Sequence, residues 1–447
     1  MEQHPLLELF YKKDYRTFKK KSEQYVPADI AELMEELSPK DTLLFFRLLP
    51  KDTAVEVFSF LPSKIQSELS GQINEKELEQ LMEDLYLDDK IDLLEEVPAH
   101  IVKRILSNTP DRERHVINQF LAYPDYSAGS LMTIEYVDLK KKMTVEEALH
   151  YIRKTGLSKE TIYTLYVVDA NRKLEGILSL RELLVADDEE TIENIMTREY
   201  ISVSTHEDQE DIATVFKKYD FLALPVTDKE TRLVGIITID DIVDVIEEEN
   251  TEDFHKMGAL QKPTAEYLTA SVPILARQRI TWLLVLMISA TFTGNIIRHF
   301  EDILQTIVLL AAFIPMLMDT GGNAGAQSST LIIRGMALGE IQMKDVFRVI
   351  RKELMVSLMV GIGLAVLNFL RIAYLEGYPT DIAFIVSVTL LATVMMAKII
   401  GGILPIVAKK VDVDPAIMAS PLITTIVDAL SLIIYFNFAS FLLGFNG

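Results

Sequence analysis

The chain has 447 residues, with 44 Lys+Arg against 66 Asp+Glu and a formal net charge of −22. No cysteine occurs, which excludes disulfides, thiolate catalysis and Cys-ligated zinc or iron–sulfur centres. The acidic balance repels phosphate, so nucleic acid is not expected as a partner, whereas cations are. The length exceeds a single core and predicts about two to four domains. Charge is unevenly spread. From Ser271 onward there are 12 basic and 11 acidic residues, leaving 32 and 55 in residues 1–270, a net of −23 beside a net of +1. An acidic, soluble two-thirds therefore precedes a near-neutral, very apolar third. The seven histidines form no HExxH pair, and the first 21 residues lack the basic-then-apolar order of a signal peptide. The N-terminal part is expected in the cytoplasm.

From 27 to about 125, runs such as DTLLFFRLLP, DTAVEVFSFLP and KIDLLEEVPAHIVKRIL repeat apolar residues at three- and four-residue intervals. Pro39, Pro50, Pro62, Pro98 and Pro110 fall between them, where they can start or stop helices. The expectation is an array of short helices, residues 1–128, that packs or docks rather than catalyses.

Residues 129–246 contain an internal repeat. SLMTIEYVDLKKKMTVEEALHYIRK is echoed by NIMTREYISVSTHEDQEDIATVFKK, with Met132-Thr133 matching Met196-Thr197, and TLYVVDANRKLEGILSLREL parallels LALPVTDKETRLVGIITIDDI. Each copy reads strand, helix, strand, tight turn, strand, helix. The pair resembles tandem CBS modules, which implies a pseudo-twofold α/β unit that senses ligands such as adenine nucleotides or metal ions.

Between Asp240 and Asp253 stand eight carboxylates and no Lys or Arg. Asp241, Asp244 and Glu248 share one helical face and Glu249, Glu252 and Asp253 another. Such a run is either a solvated surface or, because like charges at these spacings repel, a helix that needs cations. Residues 247–275 are read as an acidic connecting helix and linker.

Apolar spans follow at about 280–297, 303–336, 354–375, 382–408 and 415–443, each near or above the roughly 20 residues that cross a bilayer. They define a five-span pore domain, residues 276–447. Arg277 and Arg279 precede the first span, Arg334, Lys344, Arg348, Arg351 and Lys352 flank the second loop, and Lys409 and Lys410 lie in the fourth. The positive-inside rule then puts the N-terminal domains in the cytoplasm and the C-terminus outside. Five spans are few for a pore, so a symmetric homodimer with its path on the twofold axis is expected.

Polar residues within spans are costly and mark function. The second span contains PMLMDTGGNAGAQSST. Close helix packing accounts for its glycines but not for Asp319 and Asn323. In DPAIMASPLITTIVDALSLIIYF, Asp414 is a candidate N-cap before Pro415, and Asp428 lies 14 residues on, about 21 Å deeper along one helix. The alternative for Asp428 is an intramembrane pair with Lys398.

With GGNAGAQ and DPAIMASPLITTIVD in place, nearly the whole chain resembles the MgtE family of magnesium channels. The resemblance implies a multidomain membrane protein, with an α-helical N-terminal domain, an α/β tandem CBS pair, a connecting helix and five transmembrane helices. It implies a plasma-membrane homodimer in lipid that takes up Mg²⁺ and is closed by Mg²⁺. By the same resemblance Asp428 is the central metal-binding carboxylate, with Asp414 near the cytoplasmic mouth and Asn323 near the pore. Regulatory positions are Asp208, Glu210, Asp220, Asp241, Asp244, Glu249, Glu252 and Asp253, joined by Asp88, Asp89 or Asp92 of the N-terminal domain. ATP at the CBS pair is a further ligand the resemblance admits. Two other readings stay open: an ion-coupled transporter using Asp428 and Asp319 as proton relays, and a channel gated mainly by adenine nucleotide. Neither a nucleophile–base set nor a phosphate-binding glycine loop outside the spans supports an enzyme.

Overall fold

A computed structural model describes residues 4–261, 267, 270–411, 413–418 and 420–444. The chain divides into two compact units, Met1–Ile246 and Glu247–Gly447, described separately below.

The first unit begins with short helices from Pro5–Tyr11 to Asp111–Phe120; the first packs on its neighbour Tyr15–Ser22, and most of the later ones pack on the helix two places along. Local chemistry sets their ends. Pro39 stands in a first turn, where its missing N–H costs nothing, and Pro50, Pro62, Pro98 and Pro110 occupy N-caps. Asn74 and Glu77 form a reciprocal capping box. The prolines expected to punctuate the array therefore start its helices. One of these, Leu87–Glu96 (α1), carries the acidic LDDKID segment.

The repeat folds as two copies of one plan. In the first, β1 (Asp138–Leu139), α2 (Val145–Thr155), β2 (Thr164–Val168), β3 (Leu174–Ser179) and α3 (Leu180–Val185) follow in order. In the second, β4 (Val203–Ser204), α4 (Gln209–Tyr219), β5 (Ala223–Thr227), β6 (Leu233–Thr238) and α5 (Ile239–Met257) do the same. Each makes a three-stranded sheet, parallel at its first pairing and antiparallel at its second, with a bulge at the same place in both hairpins. The repeated Met-Thr dipeptides have a physical reason. Thr133 exchanges backbone hydrogen bonds with Ile236 of β6, and Thr197 with Ile177 of β3. Each lands beside a glycine: a Cβ on Gly235 meets the Met132 sulfur at 2.7 Å, and one on Gly176 meets the Thr197 carbonyl at 2.8 Å. The two copies thus lace into each other reciprocally. The second module also shares one apolar core with the helical array, through Phe216, Leu224 and Ile237 packed with Leu94, Ile101 and Phe120.

The acidic run lies on α5, which starts inside the stretch assigned to the module pair. Of the linker after it, residues 262–266, 268 and 269 fall outside the described residues.

In the second unit five helical segments are long and apolar enough to span a membrane: Val272–His299, Val308–Ala337, Met343–Leu375, Thr380–Lys410 and Pro415–Leu443. Their helices are α6 (Val272–His299), α7 (Ile314–Ala337), α8 (Val346–Leu370), α9 (Thr380–Lys410) and α10 (Ser420–Leu443). The first and third begin earlier than the expected 280 and 354. Arg277, Arg279, Arg348, Arg351 and Lys352 sit inside the first turns, since long basic side chains reach back to the interface without ending a helix. The span α9 is the most enclosed, whereas α6 buries none of its residues within the single chain. Span five is corrected as well. It opens with a 3₁₀ turn, Pro415–Met418, and α10 starts only at Ser420, with Pro421 in its first turn. Asp428 therefore lies about 12 Å into α10, not about 21 Å along one helix from Asp414.

Candidate functional site

Burial and charge converge first in the acidic unit. Asp88 and Asp89 at the start of α1, Glu160 after α2, and Asp240 and Asp241 at the start of α5 are mutual neighbours. Burial, and after it the charge of Asp241, pushes Asp88 well above the usual carboxylate range. Burial and Asp240 raise Asp89 to about 6, burial and Asp240 with Asp241 raise Glu160 to about 8, and burial raises Asp241 to about 6 despite its bond from Thr238. Glu160 Oε2 is buried without a hydrogen-bond partner. Lys90, the lysine within α1, is turned away to Glu113 at 2.7 Å. Carboxylates enclosed this way need protons or cations. Of the sequence candidates, Asp89 and Asp241 are thus brought together, with Asp88 beside them; Asp92 lies one turn further along α1.

Asp208 and Asp220 sit at opposite ends of α4. Asp208 caps it, accepting from the Glu210 N–H at 2.9 Å, and Asp220 ends it in a left-handed conformation, φ 53°. Their separation along the helix is about 18 Å. One chain therefore does not gather Asp208, Glu210 and Asp220 around one ion.

A second convergence lies in the other unit, at the C-terminal end of α5. Lys256 bonds Glu252 one turn back and the carboxylate of Asp414 at 2.5 Å. Asp414 also accepts from the Ala416 N–H at 2.8 Å, so it caps the 3₁₀ turn and not α10 as expected, because the helix starts later. Asp253 is raised to about 6 by burial and then by Asp414, with Glu249 and Glu252 adding to it. Asp244 is exposed further up α5.

Within the spans, three glycines decide the geometry. A Cβ on Gly321 meets Val427 at 2.9 Å, on Gly322 meets Thr424 at 3.0 Å, and on Gly325 meets Ile423 at 2.7 Å. The backbone of α7 therefore lies close against α10. Residues 321, 322, 324, 325, 328 and 329 face inward, which leaves Asp319, Asn323 and Gln327, spaced four apart, exposed as a polar stripe. Asp428, half-buried on α10, is close enough to Asp319 for the two charges to interact. Lys398 does not pair with Asp428; its Nζ points to Ser328 at 3.4 Å. Among the described residues no three of Asp, Glu and His stand close enough together to hold a metal ion.

Glu160 and Lys256 were not singled out from the sequence, and Asp240 entered only as the first of the eight carboxylates on α5. Lys256 had a visible signal, since it follows Glu252 at the helical spacing of four. Glu160 had none, sitting in a polar KET segment that reads as an ordinary turn.

Comparison with known proteins places these features. Residues 314–438 match the family MgtE, described as a divalent cation transporter, residues 25–126 match the MgtE intracellular N domain, and residues 128–189 and 192–248 match CBS domains. Magnesium transporter MgtE of Thermus thermophilus is 38% identical over 442 residues, 98% of each chain. That of Bacillus subtilis is 33% identical over 425 residues, 95% of this chain and 94% of the relative. A solved structure of the cytosolic domain of the Mg²⁺ channel MgtE in complex with ATP superposes with a TM-score of 0.52 and 39% identity, covering 54% of this chain and 98% of that one.

Proposed function

The chain belongs to the MgtE family of magnesium transporters, and from that premise we propose a route and a gate for the ion. It is a multi-pass membrane protein with an intracellular N domain that transports Mg²⁺ and is not an enzyme. We place it in the plasma membrane with its C-terminus outside, and divide it at 128/129, 246/247 and 275/276.

The observation that carries the route is the open stripe of Asp319, Asn323 and Gln327 on α7. Carboxylate and amide groups cannot face hydrocarbon cheaply. A second copy related by a twofold axis covers the stripe and makes a polar path between the chains. Two Asp428 carboxylates then face each other across the axis. Mg²⁺ sheds water reluctantly and prefers oxygen ligands, so the ion binds there through its water shell, with Asn323 beside it and Asp414 nearer the cytoplasm. The path is a channel down the Mg²⁺ gradient. The absence of cysteine makes the test clean: Asn323→Cys in the full chain, treated with a short bis-maleimide in membranes, should give a cross-linked dimer that Mg²⁺ protects. A thiol that labels singly but never cross-links counts against the shared path.

The gate rests on the enclosed carboxylates. These carboxylates stand too far apart to ligate an ion directly, so Mg²⁺ acts through its water shell beside Asp88, Asp89, Glu160 and Asp241, and near Glu249, Glu252, Asp253 and Asp414. It neutralises charges that otherwise repel, and high cytoplasmic Mg²⁺ stabilises a closed state. Asp92 and Asp244 border these groups. Asp208, Glu210 and Asp220 contribute only if two copies bring opposite ends of α4 together. ATP at the module pair follows the relative solved with it. A cavity of about 710 Å³ where the two hairpin turns meet has Arg172, Lys173 and Arg232 for phosphates but no aromatic ring for a base, so no step of the gate is routed through nucleotide.

A further inference from the structure

A glutamate and a lysine are buried among the described residues of the membrane unit. Glu353 on α8 is 9% exposed and Lys398 on α9 is 5% exposed. They meet through a third helix. Ser328 of α7, 1% exposed, donates its hydroxyl to Glu353 at 2.6 Å and accepts from the Lys398 ammonium at 3.4 Å. Gly402 gives room for this: a Cβ there meets Glu353 Cγ at 3.1 Å.

We propose that Glu353 and Lys398, joined through Ser328, form a charge pair that fixes the rotation of α7 against α8 and α9, and so positions the stripe of Asp319, Asn323 and Gln327 along the Mg²⁺ path. The proposal rests on the reading that this stripe lines the path. The reason such a device is needed lies in the contact itself. Where α7 meets α9 the contact is close and thinly toothed: a Cβ on Gly401 would strike the Gly325 carbonyl, so the backbones touch there, and at Gly321 the methyl of Thr393 lies in the gap. Glycine surfaces allow close approach but offer few knobs of their own to resist rotation. A slip of one residue on α7 swings its stripe by about 100°. Polar groups in hydrocarbon, by contrast, accept only the geometry that satisfies them, and a single buried polar pair can specify register. Ser328 lies on the buried face next to exposed Gln327, so holding the serine holds the stripe. Both residues act through α7 and touch no ion.

The experiment measures Mg²⁺ uptake by the full chain in proteoliposomes with Mg²⁺-free interiors. Lys398→Gln leaves Glu353 as an uncompensated charge; its half-saturating Mg²⁺ should rise at least about fivefold, since a misaligned stripe weakens ion binding. Lys398→Arg should stay within about twofold of wild type, as should the double variant Glu353→Gln with Lys398→Gln, which removes both charges and keeps hydrogen-bonding groups on both sides of Ser328. A residue that only supports folding lowers the amount of working protein and leaves half-saturation unchanged, so unchanged half-saturation in Lys398→Gln overturns the proposal. If Lys398→Gln never reaches the membrane, recovery of expression and uptake in the double variant supports the pair, and failure of the double variant overturns it. Asp428→Ala run alongside separates the premises: if it transports normally, the path is wrong; if it is inactive while Lys398→Gln is normal, only the pair is wrong.

Discussion

Lys256 and Asp414, 158 residues apart in the chain, meet at 2.5 Å and join the last turn of α5 to the turn that leads into α10. Glu252 shares the same ammonium, and Asp253 stands close to Asp414. The chain's own cation thus occupies a place that acidic neighbours make attractive to any cation, and the two carboxylates hold it protonated, well above the usual lysine range, against the burial that opposes it.

Lys256→Gln removes that fixed charge, so closure then depends on Mg²⁺ alone. The Mg²⁺ concentration that halves open probability in excised patches should rise by about threefold or more, a shift of roughly 0.7 kcal/mol or larger. An unchanged midpoint would show that the lysine bridge is incidental to gating.

Asp428→Ala should abolish Mg²⁺ uptake while leaving a folded protein by size-exclusion and thermal melting. Asp428→Asn should impair uptake less, because its amide oxygen still accepts hydrogen bonds from a hydrated ion. Normal uptake by a well-expressed Asp428→Ala protein removes the residue from the path.

Neutralising Asp241, Asp244, Glu249 and Glu252 together, to Asn or Gln, deletes both the repulsion and its remedy. The resting open probability can move either way, but its dependence on cytoplasmic Mg²⁺ must flatten. Identical midpoint and steepness in mutant and wild type mean that the acidic face of α5 is merely solvated.

The raised carboxyls make stability depend on pH with a definite sign. Asp89 and Asp241 at about 6 and Glu160 at about 8 all lie above their ordinary values of 3.8 and 4.5. Their protonated forms favour the folded arrangement, fully so below about pH 4, and that contribution is lost as pH rises through 6 to 8. In chelator, the melting temperature of the full chain should therefore fall between pH 5.5 and 8, by about 2–4 °C per kcal/mol lost. Added Mg²⁺ should restore more of it at pH 8 than at pH 5.5. Glu160→Gln should remove the upper part of that slope. A melting curve that ignores Mg²⁺ at both pH values rules the cluster out as an ion site.

Much of this protein is legible in its sequence because the signals are local or repeated. Prolines start the helices they precede, since a first turn has no use for the missing N–H. The Met-Thr repeats expose the paired modules because each copy must thread against a glycine of the other. Spans declare themselves by length and apolarity, and Asp428 and Asn323 stand out because polar groups at that depth are rare. What the sequence left open is which distant groups meet. It offered Lys398 as a partner for Asp428, yet the fold gives Lys398 to Ser328, whose hydroxyl in turn donates to Glu353. It showed eight carboxylates on α5 but neither buried Glu160 at one end nor the link from Lys256 to Asp414 at the other. Hydropathy and helical spacing report a residue's own environment. Pairing of charges depends on which helix faces which and at what rotation, and those follow from close glycine contacts and buried hydrogen bonds between distant segments, through distances that only the packed chain defines.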